Sequence, residues 1–301
     1  MVEKSKSYSK SYSVGNDKIS LNNSFGEMKI NTWSNNEIKV EVTMSAKAET
    51  DARAQELIDH IRIIDSKSNG EISFKTDLKD ENGHKASPGR RNSGDKQNEE
   101  KFTINYVVYL PSSAKLFAEN SFGPLIIGDF NGPLSIKSAF GSLNAGSLNQ
   151  VEKLSVEFGK GTIQKINGGL VEIKFSRAVI NKLVGDLDVR LEFANGVKLN
   201  VDNDIRHLKL RANYTTVYLN VPNNLSADFD IKTKFGSLSN QTDFSIKEES
   251  NDDNQYGPKL EKRYKGKSGS GSLDINIDSQ FGKVVLSHNV NFDVNDKHAD
   301  K

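Results

Sequence analysis

Along most of the chain, apolar and polar residues alternate in short runs, and each run ends on an aromatic residue. Leu134, Ile136, Ser138 and Phe140 share one parity, as do Leu154, Val156 and Phe158, and then Val171, Ile173 and Phe175. Leu187, Val189, Leu191 and Phe193 continue the series. Leu208, Leu210, Ala212 and Tyr214 follow, then Ile231, Thr233 and Phe235, and later Leu273, Ile275, Ile277, Ser279 and Phe281. A period of two belongs to a strand with one buried face. By parity alone, the aromatic is the last inward residue of its strand, and stacked repeats would give an internal ladder of rings.

A small residue follows each aromatic: Gly at Phe25, Phe122, Phe140, Phe158, Phe235 and Phe281, and Ser176, Ala194 or Thr215 elsewhere. The chain is expected to bend there, where a Cβ becomes costly if φ turns positive. A second, shorter apolar stretch comes next (Leu125 and Ile127, Val179 and Ile180, Val197 and Leu199, Val217 and Leu219), and turn residues such as Asn167-Gly168-Gly169 close the unit.

Phe122, Phe140, Phe158, Phe175 and Phe193 are spaced by 18, 18, 17 and 18 residues, and Tyr214 and Phe235 each follow by 21. Strand, corner, strand and turn in about 18 residues predict one coil of a single-stranded β-solenoid. The fold class read from the sequence is therefore all-β. A right-handed coil is expected, because parallel strand connections are nearly always right-handed.

The N-terminal stretch carries the same joint. ISLNNSFGEMKINTW from Ile19 aligns with LFAENSFGPLIIGDF from Leu116. Between them, ETDARAQELIDHI predicts a helix over about 50–64, capped by Thr50 or Asp51 and burying Leu57, Ile58 and Ile61. Residues 1–115 are thus expected to cap the solenoid with strands and one helix, and 116–290 to form its coils. The segments 77–101 and 247–272 are too polar to offset their ordering entropy and are expected to be flexible loops or insertions. Residues 291–301 form a polar tail.

Composition narrows the chemistry. The 301 residues carry 41 basic and 40 acidic side chains, a balance that argues against nucleic-acid binding. No cysteine is present, which excludes disulfides and thiolate chemistry. No window has the apolar length of a transmembrane helix. The first residues lack the apolar core of a secretory signal, so either the protein is cytoplasmic or a signal has already been removed.

Outward positions offer one constellation. Three residues before successive aromatics stand Lys137, Ser155, Glu172, Arg190, Arg211 and Lys232; one before stand Glu157, Lys174, Glu192, Asn213 and Lys234. Stacked in register, Glu157, Lys174 and Glu192 alternate in sign and Glu172 lies beside Arg190. Such a face is most simply a solvated mesh of ion pairs. The sharper reading is a polysaccharide-lyase site built from Glu172, Asp188, Arg190, Glu192 and Arg211, which needs a calcium-binding acidic cluster and an unpaired base. Paired charges argue against it, so no catalytic, cofactor-binding or metal-binding residue is assigned.

The other motifs are weaker. His60, His84, His207, His288 and His298 lack metal-site spacing, NDDN from Asn251 lacks the rest of an EF-hand, and KSGSGSL lacks the phosphate-loop lysine pattern. Tyr8, Tyr12, Tyr256 and Tyr264 are surface aromatics expected in tails or loops.

The recurrent NSFG and TKFG joints, the Asn-rich turns and the helix read from AETDARAQELIDHI together resemble the bacterial putative-adhesin family, β-solenoid envelope proteins of unknown function. The resemblance spans Tyr12 to about Val290. It implies an extracytoplasmic, non-enzymatic, adhesin-like protein with no cofactor, whose partner is a protein or glycan at the cell envelope. A carbohydrate-active solenoid enzyme and a self-assembling, bactofilin-like scaffold are the alternatives.

Overall fold

The computed structural model describes residues 1–78, 100–249 and 260–289. Among these residues the chain forms 21 strands and one helix, an all-β protein. It divides into two compact units, Met1–Gly141 and Ser142–Lys301.

In the first unit, Lys18–Ser24 lies in parallel between Glu71–Asp77 and Lys115–Ser121, and Lys115–Ser121 pairs in turn with Phe130–Ala139. Ile19 faces Leu116 and Ser24 faces Ser121, the register read from the two NSFG stretches. The chain between them supplies antiparallel strands: Glu37–Ala48 pairs with both Val2–Ser13 and Lys101–Pro111. The helix runs over Asp51–Asp59, and the Thr50 hydroxyl accepts from the Arg53 amide at 3.2 Å. It is shorter than expected because Arg62–Ser68 is already a strand, antiparallel to Glu71–Asp77. Tyr8 and Tyr12 sit within the first strand rather than a tail, and both hydroxyls donate to the Asp65 carboxylate.

The second unit opens with four long strands in parallel, Ser142–Glu157, Lys160–Lys174, Arg177–Glu192 and Val197–Asn213. Equivalent residues face each other one sequence repeat apart: Leu154 opposes Val171, Val171 opposes Val189, and Val189 opposes Leu210. All four are fully buried, the core that alternation requires.

Sequence order then breaks. Leu273–Gln280 inserts between Val197–Asn213 and Ala227–Lys234, and Lys283–Ser287 between Thr216–Asn220 and Ser237–Gln241. Within 247–272, expected as a flexible loop or insertion, Lys247–Glu248 are in strand and Glu261–Ser268 forms a strand antiparallel to Ala227–Lys234. That strand ends the parallel stack with charged side chains: Glu261, Arg263, Lys265 and Lys267 are exposed.

The inward placement of the aromatics is overturned. Phe25, Phe122, Phe140, Phe158, Phe175, Phe193, Tyr214, Phe235 and Phe281 all adopt positive φ, between 49° and 66°. Eight of them are 44–51% exposed. A left-handed residue does not continue the two-residue alternation, so its side chain swings outward. The last inward residue is the one two positions earlier, such as Ile173 or Leu191, at 0% and 1% exposure.

Candidate interaction surface

The exposed rings form ladders. In the second unit Phe158, Phe175, Phe193, Tyr214, Phe281 and Phe235 stack in that order, with centroids 4.7–5.1 Å apart and planes within 5° of parallel. In the first, Phe25, Phe122 and Phe140 stack at 4.9 Å, and Phe102 closes on Phe25 edge-on at 4.9 Å. Phe235 precedes Phe281 in sequence but follows it in space, because the later strand is inserted.

The following residue must be small because the joints nearly touch. A Cβ on Gly123 would lie 2.0 Å from the Gly26 carbonyl oxygen, and one on Gly282 2.1 Å from that of Thr215. Where Ser176 or Thr215 replaces Gly, its hydroxyl accepts from the backbone amide of the neighbouring joint, Gly159 at 2.9 Å and Ala194 at 3.1 Å.

Each left-handed aromatic costs about 1–2 kcal/mol of backbone strain, whereas a stacked pair returns about 0.5–1.5 kcal/mol. The ladder therefore roughly offsets its own strain, and what remains is an apolar stripe in contact with solvent. With roughly 100 Å² exposed per half-covered ring, six rings present about 600 Å², at the upper end for a monomer. Phe158, Phe175 and Phe193 line an open groove of about 430 Å³ with Arg177 and Asn195.

The strands before and after this ladder differ in chemistry. Before it, the constellation singled out in the sequence comes together as a mesh. Glu172 opposes Arg190 and Lys174 opposes Glu192 in register. Arg190 and Arg211 both donate to Asp188, at 3.0 and 2.8 Å. Lys153 reaches Glu172 at 2.7 Å, and Lys174 reaches Glu192 at 3.4 Å. The hydrogen bond from Lys153 holds the Glu172 carboxyl below its ordinary value, and Asp188 holds the Arg190 guanidinium above its own. A carboxylate kept ionised and a guanidinium kept protonated make a poor acid and a poor base. Among the described residues no group of three His, Asp or Glu side chains is placed to hold a metal ion.

After the ladder, charged, apolar and polar side chains such as Arg177, Val179, Lys198 and Tyr218 share the outward positions, and one row consists of amides. Gln164, Asn181, Asn200 and Asn220 lie on successive strands; Asn181 donates to Gln164 at 3.0 Å and Asn220 to Asn200 at 2.9 Å. The sequence holds these amides at the repeat period, but the aromatics and charges are the louder signal.

Other candidates disperse. His60 lies against its own helix, with Nδ1 2.6 Å from the Glu56 carbonyl. His207 sits in the strand Val197–Asn213. Tyr264 is half-buried in Glu261–Ser268, while His84, Asn251, Tyr256 and His298 fall outside the described residues. His288 is the exception, with Nδ1 2.9 Å from the Val221 carbonyl and Nε2 2.9 Å from Asp243. Both partners accept, so the imidazolium satisfies both, and the imidazole is held above its ordinary pKa chiefly by the Val221 carbonyl. Among the described residues no helix is long and apolar enough to cross a membrane.

No family model matches the chain, and no curated protein matches it. Three solved structures that align with it are described as putative adhesion proteins. A putative cell adhesion protein from Clostridium sporogenes aligns at 14% identity over 94% of this chain and 99% of that one, with a TM-score of 0.23. A putative adhesin from Bacteroides fragilis aligns at 13% identity over 93% and 97%, with a TM-score of 0.29. Another from Parabacteroides distasonis aligns at 12% identity over 94% and 96%, with a TM-score of 0.24. Similarity at this level assigns no role to any residue of this chain.

Proposed function

We propose that the protein is a non-catalytic, adhesin-like interaction protein of the extracytoplasmic space, and that the aromatic ladder is a contact surface. The observation that carries this reading is the second unit's ladder, six rings stacked in parallel and each left nearly half exposed. A stripe that only stiffened the corner would gain more by burial, at about 25 cal/mol per Å². The framework is a right-handed single-stranded β-solenoid of about 18 residues per coil, with residues 1–115 as its cap and 116–290 as its coils. The adhesin descriptions of the aligned structures are consistent with this reading.

The lyase alternative is disfavoured by the pairing of Glu172, Asp188, Arg190 and Arg211. A bactofilin-like scaffold is disfavoured by the antiparallel, charged strand Glu261–Ser268 beside Ala227–Lys234.

The test is retention on glycan-coated and cell-coated surfaces, comparing the protein with Phe175→Ser/Phe193→Ser. Retention lost by the variant with its fold intact supports the reading. Equal retention of the two, or cleavage of a polysaccharide by the protein, overturns it.

A further inference from the structure

The two flanks of the second unit's ladder differ in charge. Over the six strands that follow its rings, the first three outward positions hold Lys160, Arg177, Lys198 and Lys283 and, among these described residues, no carboxylate. Farther along Val197–Asn213, Asp202 is already paired with Lys182 at 3.0 Å. One position before the rings, by contrast, Glu157, Lys174 and Glu192 alternate in sign on adjacent strands. Beside the first unit's rings, the positions that match Lys160 hold Glu27 and Pro124. The cationic flank belongs to the second ladder.

Half-exposed rings beside a row of cations make one amphipathic stripe, the combination by which interfacial helices lie on lipid. The rings repeat every 4.7–5.1 Å, and the groove along Phe158, Phe175 and Phe193 is open. A partner with side chains at fixed positions would have to match that repeat in register. A fluid surface meets it anywhere along its length.

From this arrangement we infer that the second unit's ladder docks on an anionic lipid bilayer, with the ring edges entering the headgroup region and the cationic row facing lipid phosphates. Lys and Arg suit that placement, because their stems lie along apolar surface while their heads reach the anions. Anionic headgroups attract such cations, and salt screens the attraction. The inference rests on the contact reading above and names the surface that the ladder meets.

The probes are vesicles of phosphatidylcholine alone and of phosphatidylcholine mixed with phosphatidylglycerol, co-sedimented with the full chain, and poly-glutamate as an anion without lipid. Binding to the anionic vesicles is expected to exceed that to the neutral ones about tenfold or more, and to fall as salt rises. Lys198→Glu/Lys283→Glu should weaken it by about the same factor, and Phe175→Ser/Phe193→Ser should weaken it as well, with thermal melts confirming that each variant is folded. Lys209→Glu/Lys234→Glu makes the same change of charge on strands before the rings and should have much the smaller effect. No binding to the anionic vesicles, poly-glutamate bound as tightly as those vesicles, or equal losses from the two charge-reversed variants overturns the inference. Cell retention that depends on Phe175 and Phe193 while vesicles fail to bind overturns the lipid assignment alone; loss of both removes the contact reading as well.

Discussion

Two strand rows of the second unit meet at the aromatic ladder, and they solve the same packing problem with different surfaces. Inside, they are alike: Val171, Ile173 and Ile180 are all fully buried. Outside, the strands before the ladder carry Glu172, Arg190 and Arg211 in one ion-paired mesh, whereas those after it carry Gln164, Asn181 and Asn200. The interior thus sets the strand stack, and each outer row is at liberty to take its own chemistry. The charges of one face pair across strands, and the amides of the other bond to one another in the same way.

The comparison can be broken first from the inside. Ile173→Ala and Ile180→Ala should each cost about 2–5 kcal/mol in denaturant unfolding, because both create cavities at fully buried positions. A clear inequality would show that the two rows do not share one core. At the joint, Phe175→Ala should cost about 1–2 kcal/mol, from lost stacking and half-exposed area. Phe175→Gly should be milder than Ala, since Gly has no strain at the observed φ of 49°. If Ala proves the milder of the two, the ring is not held at positive φ.

On the charged side, Glu172→Gln should cost about 1 kcal/mol at low salt and less at high salt. Asn181→Ala should cost about 0.5–1 kcal/mol with no salt dependence. The Glu172 carboxyl has a lowered folded pKa, so its contribution is present above the ordinary carboxylate pKa and disappears as pH falls through the folded value.

The smallest expected effect belongs to His288, whose pKa is raised. Its contribution is full below the ordinary histidine pKa of about 6.5 and is lost as pH rises through the higher folded value. His288→Gln should flatten the stability profile over that interval, as thermal melts across pH would show, and leave unchanged the acid limb to which Glu172 contributes.

Much of this was legible beforehand. The matched NSFG stretches put Ile19 opposite Leu116, and residue type at the repeat period put Glu172 beside Arg190. The long polar segment 247–272, read as a flexible loop or insertion, gave no strand signal, because Glu261–Ser268 gains its order from pairing with Ala227–Lys234 rather than from its own apolar content. The interleaving of Leu273–Gln280 was equally hidden, since strands of the same pattern can stack in any order that keeps their register.

What the sequence determined by itself was the set of repeat strands, their inward rows and the charges that meet across them, because period-two alternation and a constant repeat are local and additive. What only the tertiary structure decided was the side on which the aromatics lie. Parity counts every residue as extended, and one left-handed residue per joint reverses it. The backbone takes that strained turn at Phe175, Phe193 and their equivalents because neighbouring joints approach so closely that rings on adjacent strands can stack outside.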